Sequence, residues 1–496
     1  MRWSLRSMVD KMGLDLSLRT AMSGLRTVQK GLDTVSSNIA NADTPGYTRK
    51  VLTQSTVVMN GKGLGVQTGN IEREVDTALQ RETLTQESRV ANLKVLDQYL
   101  GQVEMLHGDP EQETSLGNVV NQMRDGFAKL MDSPSSVPLQ NQVISLADNL
   151  ARTLNRLADG INSIRTNVQG EIEGSINDIN TQFQTIADLN RMISTSTAQG
   201  KTEPDLEDKR DEAVRLVAEQ IDINVMKRSD GSIAILDHYG QPLLEDTYKP
   251  LSIATTVISP QVAYPGGIPP IRLGDPASGL DVTGMMRGGR LGGLLDLRDQ
   301  SLPRYQAQLD EFSQTLSETF STAGLTLFTD INGAVPPDAP ATASIGYANQ
   351  MQVSQTVRDD PRLLRDGDDG ISAGAADSTL LRSIVDGVLG SQQTFQTGGL
   401  GPNSNVTSSL PARTDFASFA TELVSYQVNQ RANATAQLES ATSLRDQLKT
   451  KLSDQSGVNL DTEVSLLIQL QRSYSSSAQV VSTNRQMFND LISIVR

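Results

Sequence analysis

Apolar residues near the start of the chain recur at alternating steps of four and three positions. They are Leu18, Leu25, Val28, Leu32, Val35 and Ile39, with Leu14, Ala21 and Ala42 in the same series. This seven-residue period predicts a helix with one apolar stripe that a second helix must cover. The stripe then stops. Asn38 and Asn41 suit the end of a helix, and Thr44-Pro45-Gly46-Tyr47 predicts a turn, because proline fixes φ and glycine tolerates many conformations.

A second helix of the same period is predicted at the other end of the chain. Gly457 suits the end of the preceding helix and Asn459 the cap of a new one, which runs from Leu460 nearly to the last residue. Its apolar positions include Leu467, Leu470, Tyr474, Val481, Phe488 and Leu491, with Glu463, Ser477 and Asn484 between them. We predict that the two terminal helices pair and that Ser477 and Asn484 set the register. Spacing alone fits equally well two ordinary amphipathic helices on a common core.

Helical and alternating patterns divide the middle of the chain. Helical periodicity covers 76–105, 115–220, 288–320 and 415–452, with breaks at 108–110, 133–134 and 200–204. From about Ile221 onward, apolar and polar residues alternate, which is typical of strands. Ser229-Asp230-Gly231 predicts a hairpin turn in this segment. The predicted fold is therefore mainly α with β insertions: long antiparallel helices form a rod, and small β domains are inserted between them.

Because the two stripes lie at opposite ends of the sequence, we predict a discontinuous chain of several domains. The predicted parts are an N-terminal extension at 1–11, a terminal coiled-coil domain at 12–50 plus 455–496, a helical rod domain at 51–220 plus 289–324 plus 410–454, a β domain at 221–288 and a second mixed insertion at 325–409.

Composition excludes several classes of function. The chain of 496 residues has a formal net charge of −15 and no block of lysine or arginine, which disfavours nucleic acid as a partner. The absence of cysteine excludes disulfides, thiolate metal sites and cysteine nucleophiles. No run of about 18 apolar residues predicts a membrane span. Residues 1–11 are not followed by the apolar segment and cleavage site of a secretory signal peptide.

The residues that could carry chemistry do not form a recognisable active site. His107 and His238 are the only histidines, and neither lies in a nucleophile motif. The glycine-rich stretch at 61–66 lacks the spacing of a phosphate-binding loop, so a hairpin turn after the strand predicted at 49–58 is the better interpretation. We therefore predict no catalytic residue and no cofactor.

Two groups of acidic residues receive the same structural interpretation. The acids at 366–370 lack the glycine and the final glutamate that a calcium loop of the EF-hand type needs, so no metal site is predicted there. Asp208 and Asp211 lie on one predicted helix beside Lys209 and Arg210, which can neutralise them. Neither group supports paired acid and base catalysis, and we predict that the protein is not an enzyme.

Both ends of the chain resemble the terminal signatures of the bacterial flagellar axial proteins, the rod, hook and hook-associated subunits. The N-terminal match is SNIANADTPGYTR at 37–49, and the C-terminal match covers 456–495. A family pattern between them is met by Gly63, Gly65, Val66, Ile71, Arg73 and Asp76. The resemblance implies a flagellin-like fold and export through the flagellar type III apparatus without a cleaved signal peptide, and hence an extracellular location.

Two internal segments resemble the hook-associated branch of this family. One pattern is met by Leu206, Asp208, Arg210, Asp211, Gly231, Gly240 and Leu243. The other is a glycine-rich entry into a helix at 288–320, which hook and rod proteins lack. The resemblance implies a structural subunit that joins the flagellar hook to the filament. Two alternatives stay open: a hook protein or other axial protein, and a secreted enzyme or adhesin on an axial scaffold.

The resemblance also implies the partners. They are further copies of this chain in a helical homo-oligomer, the hook protein, a second junction protein, the filament side of the flagellum, and an export chaperone at the C-terminal helix. Because the two stripes are incompletely covered in a lone subunit, we predict that residues 12–50 and 455–496 are poorly ordered there and fold on assembly.

Overall fold

The computed structural model describes residues 2–59, 62–108, 115–245, 247–371 and 374–495. Within these ranges the side chains of 2–14, 59, 62, 491, 492, 494 and 495 are left out, so the predicted apolar side chain of Leu491 lies outside the described part. The described chain is mostly helical and carries several small antiparallel sheets. The prediction of a mainly α fold with β insertions is confirmed at this level.

The helices follow the predicted pattern of long segments broken at glycine and proline. They are α1 (Arg2–Ala40), α2 (Thr77–Leu106), α3 (Leu116–Asp132), α4 (Val137–Ala198), α5 (Pro204–Gln220), α6 (Gly289–Asp296), α7 (Leu302–Thr322), α8 (Gln355–Asp359), α9 (Leu363–Asp366), α10 (Thr379–Arg382), α11 (Phe416–Ser456) and α12 (Leu460–Val495). A wider π-helical turn joins α6 to α7, and a second one follows α10. The single helix predicted over 288–320 is therefore two helices joined by that turn.

The strands form one long hairpin and several small sheets. They are β1 (Lys50–Met59), β2 (Lys62–Arg73), β3 (Ile223–Lys227), β4 (Ile233–Asp237), β5 (Pro242–Leu244), β6 (Leu251–Ser252), β7 (Arg272–Leu273), β8 (Leu280–Asp281), β9 (Phe328–Thr329), β10 (Gln352–Val353), β11 (Gln393–Thr394) and β12 (Arg413–Thr414). In the hairpin, β1 pairs antiparallel with β2 from Lys50 opposite Arg73 to Met59 opposite Lys62. The sheets β3-β4-β5 and β6-β7-β8 both lie within 221–288.

The main core runs along α4, which is 62 residues long. Its buried stripe repeats every three or four positions and includes Ile172, Ile176, Ile179, Phe183 and Ile186. The same core continues through α7 to the start of α11. There the ring of Phe312 lies 5.5 Å from that of Phe416, and the rings of Phe395 and Phe419 stack at 4.1 Å. These contacts fix α11 to the helical body and set the direction in which it leaves.

Helix α7 is buried around its whole circumference, although many of its residues are polar. Every residue over 305–317 is buried. Asp310 accepts hydrogen bonds from the backbone N–H groups of Gly346 and Ala348 at 2.9 and 3.0 Å. Glu311 accepts one from the backbone of Gln396 at 2.5 Å. The two carboxylates thus hold two loops of the 325–409 segment against α7.

Burial raises the pKa of both carboxyl groups. It brings the pKa of Asp310 to about 7 and that of Glu311 also to about 7, although their hydrogen bonds act in the opposite direction. A folded-state pKa above the unfolded value means that the protonated group stabilises the fold. This contribution is complete below the unfolded pKa, and it is lost as the pH rises through about 7.

Asp310→Asn is expected to change how stability depends on pH. An amide does not titrate, so the free energy of unfolding of the variant, relative to wild type, should rise by roughly 2–4 kcal/mol from about pH 4 to about pH 8. Chemical denaturation at both pH values measures this difference. Asp178→Asn, at an exposed position of α4, is the matched control and should show no such trend. Equal pH dependence in the two variants would contradict the prediction.

Candidate assembly site

Helices α1 and α12 pair antiparallel in a register that repeats every seven residues. The facing pairs are Ser17–Asn484, Gly24–Ser477, Gly31–Leu470 and Asn38–Glu463. In the first and last pairs the asparagine amide donates a hydrogen bond to the partner side chain, at 2.9 and 3.0 Å. On the α1 side, the seam is therefore marked by small and polar residues, each one position before an apolar residue of the predicted stripe.

The pair covers the predicted stripes only in part. Val35 is buried; Leu18, Leu25, Val28, Leu32, Ile39, Leu467, Leu470 and Val481 are half-buried; and Tyr474 and Phe488 are exposed. Seven large apolar side chains of α12 are between 40 and 52% exposed. They are Leu460, Val464, Ile468, Tyr474, Val480, Met487 and Phe488, and we call them the exposed apolar set of α12. Much apolar surface is thus available on α12 for another helix.

Gly31→Leu is expected to separate the two terminal helices. A Cβ atom at this buried position would already lie 3.3 Å from a methyl group of Leu470, and a larger side chain has no space. Overpacking of this kind costs about 1–3 kcal/mol. Gly170→Leu is the matched control, because a Cβ atom on that helical glycine would meet no atom within 4 Å. Hydrogen exchange of α1 and α12 should accelerate only in Gly31→Leu; similar exchange in both variants would contradict the prediction.

Asn38 joins the end of α1 to both β1 and α12. Its side-chain amide donates to the backbone oxygen of Lys50 at 2.9 Å and to Glu463 at 3.0 Å. Its side-chain oxygen accepts from the backbone N–H of Lys50 at 3.1 Å and from the hydroxyl of Tyr47 at 3.0 Å. All four hydrogen-bonding positions of this buried amide are therefore used. An apolar residue or a carboxylate cannot replace it without leaving partners unpaired.

The turn after α1 follows from its own residues. Gly46 has a φ of +78°, a conformation that glycine adopts without strain. Asn41 donates from its side chain to the backbone oxygen of Ser37 at 2.9 Å, which caps the last turn of the helix. Thr44 and Pro45 are exposed at its tip. The turn thus reverses the chain so that β1 begins beside the end of α1.

Glu463 is a fully buried acid at the start of α12. Its second oxygen accepts a hydrogen bond from Nε of Arg49 at 2.8 Å, and Arg49 also contacts Glu74 at 2.6 Å. The hydrogen bond to Glu463 is the main reason that the pKa of Arg49 is raised. The backbone N–H of Arg49 donates to the backbone oxygen of Ser456 at 2.8 Å. The turn is therefore bound to both sides of the α11–α12 connection.

Arg73, at the end of β2, binds three acids on the first turns of α5. Its guanidinium lies 3.0 Å from Glu207, 2.8 Å from Asp208 and 2.8 Å from Asp211. Burial by itself lowers the pKa of Arg73, but the charges of Asp211 and Asp208 outweigh that effect, so the pKa is raised. The hairpin β1–β2 is thereby fixed to α5 by charge-assisted hydrogen bonds, which are stronger than neutral ones.

Lys50 completes the connection between the turn and α5. Its buried ammonium contacts Asp205, lies 3.6 Å from Asp208, and sits 4.0 Å above the ring of Tyr47. The hydroxyl of Thr48 donates to Asp208 at 2.6 Å. We call this connected group the polar node. It comprises Asn38, Arg49, Lys50, Arg73, Asp205, Glu207, Asp208, Asp211 and Glu463.

Arg210 contacts different residues from the acids that the sequence suggested as its partners. The spacing along the chain predicts that Lys209 and Arg210 neutralise Asp208 and Asp211, but Arg73 makes the short contacts with these acids. Arg210 stays 4.0 Å from Asp211. The fully buried guanidinium of Arg210 donates to the backbone oxygen of Gly231 at 2.7 Å and to Asn190 at 3.3 Å. It thereby holds the turn of the β3–β4 hairpin against α4.

The residues considered for chemistry have structural partners. His107 lies buried at the end of α2, with its Nε2 atom 2.6 Å from the side-chain oxygen of Gln427. His238 lies 3.2 Å from Asp222. In the 366–371 segment, Asp368 accepts hydrogen bonds from Thr326 at 2.7 and 2.9 Å. Across the described residues, no three acidic or histidine side chains are grouped as metal ligands, and no helix has the length and apolarity of a membrane span.

Sequence reasoning missed the node as a unit. The heptad pattern shows Glu463 only as a polar interruption of an apolar stripe, and no pattern in the sequence singles out Lys50. In the sequence, Arg73 belongs to one family pattern, and Asp208 and Asp211 belong to another and have Lys209 and Arg210 as their basic neighbours. The available signal was charge: basic residues follow the turn at 44–47, and acids crowd the start of α5.

Family models match three separate parts of the chain. The flagellar hook-associated protein FlgK helical domain matches residues 100–334, the flagella basal body rod protein matches 18–48, and the flagellar basal body rod FlgEFG protein C-terminal matches 453–494. The second match covers most of α1 and the turn that follows it, and the third covers α12. The class of protein to which these three parts are similar is the axial proteins of the bacterial flagellum.

Curated relatives match almost the whole length. Flagellar hook-associated protein 1 of Escherichia coli (strain K12) is 24% identical, over 96% of this chain and 99% of the relative. The proteins of the same name from Bacillus subtilis (strain 168) and Salmonella typhimurium (strain LT2) are 22 and 23% identical, over 96% of this chain and 97 and 99% of their own. The resemblance of this chain to flagellar hook-associated protein 1 is thus confirmed over almost its whole length.

A solved structure is also among the matches. The flagellar hook junction protein FlgK from Burkholderia pseudomallei is 21% identical over 52% of this chain and 45% of that chain, with a TM-score of 0.42. This score is too low to establish a shared arrangement.

Proposed function

We propose that this protein is a structural subunit of the bacterial flagellum that joins the hook to the filament. The observation that carries the proposal is the match to relatives named flagellar hook-associated protein 1 over 96% of the chain. The relatives are structural proteins, in keeping with a role that involves no catalysis. A structural subunit acts through its contact surfaces. The terminal helices and the polar node are the first candidates for such surfaces.

Assembly takes place through the terminal helices. Residues 12–50 and 455–496 act as a coiled-coil domain, the long helices as a rod, and 221–288 and 325–409 as insertions on that rod. The exposed apolar set of α12 supports this assignment, because large apolar side chains exposed along one helix are favourable only when another surface covers them. Contacts of a helix with unlike surfaces of neighbouring copies do not close on themselves, and they build a helical lattice.

The partners follow from this position. The chain contacts further copies of itself, the hook protein on one side, and a second junction protein and the filament on the other. An export chaperone covers the exposed apolar set of α12 before assembly. The protein is exported without a cleaved signal peptide and works outside the cell.

Electron microscopy of cells that lack the gene tests the proposal, with flagellin in the medium assayed alongside. Bare hooks with flagellin lost to the medium are expected, and restoring the gene should restore filaments. Rods without hooks would instead indicate a hook protein. Normal flagella would contradict the proposal altogether.

A further inference from the structure

One face of α4 carries four polar side chains that reach the segments at 221–288 and 325–409. They are Asn155, Arg165, Asn180 and Asn190, and we call them the bracket residues. An α-helix turns by about 100° per residue, so the four lie within a sector roughly 100° wide, spread over about 50 Å of helix. Arg165 and Asn190 are buried, and the other two are half-buried. Both segments thus meet the same side of α4.

Two of the bracket residues pair with the 221–288 segment as a neighbouring strand would. Asn180 donates to the backbone oxygen of Leu251 at 2.8 Å and accepts from its backbone N–H at 2.8 Å. Asn190 makes the same two hydrogen bonds with Ile233, at 2.8 and 3.1 Å. Exchange of both backbone bonds with one residue is the pattern of a hydrogen-bonded pair in an antiparallel sheet. Each amide therefore fixes one residue of the segment at one place along α4.

The other two bracket residues donate to backbone oxygen atoms. Arg165 donates to Ser259 at 3.1 Å and to Val262 at 2.9 Å, in the irregular stretch between β6 and β7. Asn155 donates to two backbone oxygens of the 325–409 segment, at 2.8 and 3.2 Å. In all four cases the atoms that are bound in the two segments belong to the main chain. These contacts therefore do not depend on which side chains the segments carry there.

Apolar side chains of the same segments are also buried against the helical body, but such contacts define a position less sharply. Ile233 and Leu251 are buried and belong to the main core. Hydrophobic burial is non-directional, so a sheet displaced along α4 could still bury these side chains. Hydrogen bonds need distances near 3 Å and nearly linear geometry, and a buried backbone group that loses its partner is unfavourable. The bracket residues therefore distinguish one position from others that bury similar apolar surface.

We propose that α4 sets the positions of both segments by binding their backbones through the bracket residues. The inference goes beyond the proposed function and does not depend on it, because every contact lies within one chain. Helix α4 is in this sense a docking surface for main chain. Side chains on the outer faces of the two segments can then be replaced without displacing the segments, whereas loss of a bracket residue displaces them.

Double electron–electron resonance between spin-labelled cysteines tests the proposal in the full-length chain, which has no cysteine of its own. Thr195→Cys on α4 and Ala277→Cys in the β7–β8 turn are exposed positions that report where the β6-β7-β8 sheet lies. In this background, Asn180→Leu is expected to raise the population outside the wild-type distance peak about threefold or more, because both backbone groups of Leu251 lose their partner. Asn177→Leu, at an exposed position of α4, is the matched control and should leave the distances unchanged.

Equal distance distributions in Asn180→Leu and Asn177→Leu would overturn the inference, because apolar burial alone would then set the position of the sheet. Circular dichroism and thermal unfolding show whether the helices of each variant stay folded. If Asn180→Leu does not fold, Asn180→Asp takes its place: it keeps an acceptor for the backbone N–H of Leu251 and loses the donor to its backbone oxygen. The same displacement is expected of it, and an unchanged distance peak would equally overturn the inference.

A second comparison separates recognition of main chain from recognition of side chains. Ser145→Cys on α4 and Thr255→Cys between β6 and β7 are the labelled positions, and both are exposed. Arg165→Leu is expected to broaden the distances between them. The double variant Ser259→Ala and Val262→Ala should leave the distances unchanged, because the backbone oxygens that Arg165 binds remain. Equal displacement in both variants, or none in Arg165→Leu, would contradict the proposal.

Discussion

Glu463→Ala is expected to loosen the end of α1 and the start of α12 while the long helices of the main core stay folded. The carboxylate is fully buried, and its removal takes away one of the two acceptors of the Asn38 amide and one of the two carboxylates that bind Arg49. Removing one side of a buried ion pair costs about 3–5 kcal/mol. Backbone amides at 34–40 and 460–468 are therefore expected to exchange roughly a hundredfold faster or more.

Hydrogen exchange read by mass spectrometry measures this effect segment by segment. Glu74→Ala is the matched control, because it removes the other carboxylate that contacts Arg49, at a side chain that is 52% exposed. Surface pairs of this kind contribute about 0–1 kcal/mol, so exchange should change little. The incorporation of Glu463→Ala into flagella should fall as well. If the two variants exchange alike, the buried acid does not hold the terminal helices in place.

Phe488→Asp is expected to abolish incorporation of the protein into the flagellum without destabilising the free subunit. The ring is 52% exposed on α12, so its loss should change the free energy of unfolding by about 0.5 kcal/mol or less. In an assembly that covers this surface, the same substitution removes a large apolar contact and buries a charge without a partner. The combination of normal stability and lost incorporation is what marks an interface residue.

Two variants are the controls for Phe488→Asp. Asn489→Asp adds the same charge at the next position, and Phe488→Leu keeps an apolar side chain at position 488. Both variants should be incorporated. Motility in soft agar, and immunogold labelling of purified hook–filament particles, give the readout; circular dichroism and thermal unfolding of the free chain show whether it folds. Normal incorporation of Phe488→Asp would mean that this part of α12 faces solvent in the assembly.

The local features of the fold could be predicted from the sequence because each depends on a few neighbouring residues. Ser133 and Pro134 predicted a break, and α3 ends at Asp132 while α4 begins at Val137. Gly457 and Asn459 predicted the α11–α12 boundary, where the side chain of Asn459 accepts from the backbone of Thr462 at 3.1 Å. Apolar periodicity of three and four likewise predicted the buried stripe of α4.

The polar node could not be predicted, because it depends on distances in space between residues far apart in sequence. Glu463 and Asn38 are separated by 425 positions, and Arg73 and Asp208 by 135. The residues next to an acidic side chain in the sequence do not indicate which basic side chain it will contact. For the same reason, Lys209 and Arg210 were the natural partners for Asp208 when only the neighbours along the chain were visible.

Helix α7 shows a second limit. Its apolar positions predicted one buried face, yet Asp310, Glu311 and their neighbours are buried as well, because loops of the 325–409 segment fold over the opposite face. Those loops have little regular pattern, so their path was not predictable. Burial of a polar residue is decided by what covers it, which periodicity within one helix does not reveal.

The span of the Asn38–Glu463 hydrogen bond also has a consequence for the order of events during biogenesis. Asn38 leaves the ribosome 425 residues before its partner, and it must wait for nearly all of the chain to be translated. Closing so long a loop is entropically unfavourable until the intervening helices have folded. A product truncated before Glu463 would lack the acid that joins the Asn38 amide and the Arg49 guanidinium to α12. The connection between the end of α1 and the start of α12 can therefore form only late, after most of the chain has been made.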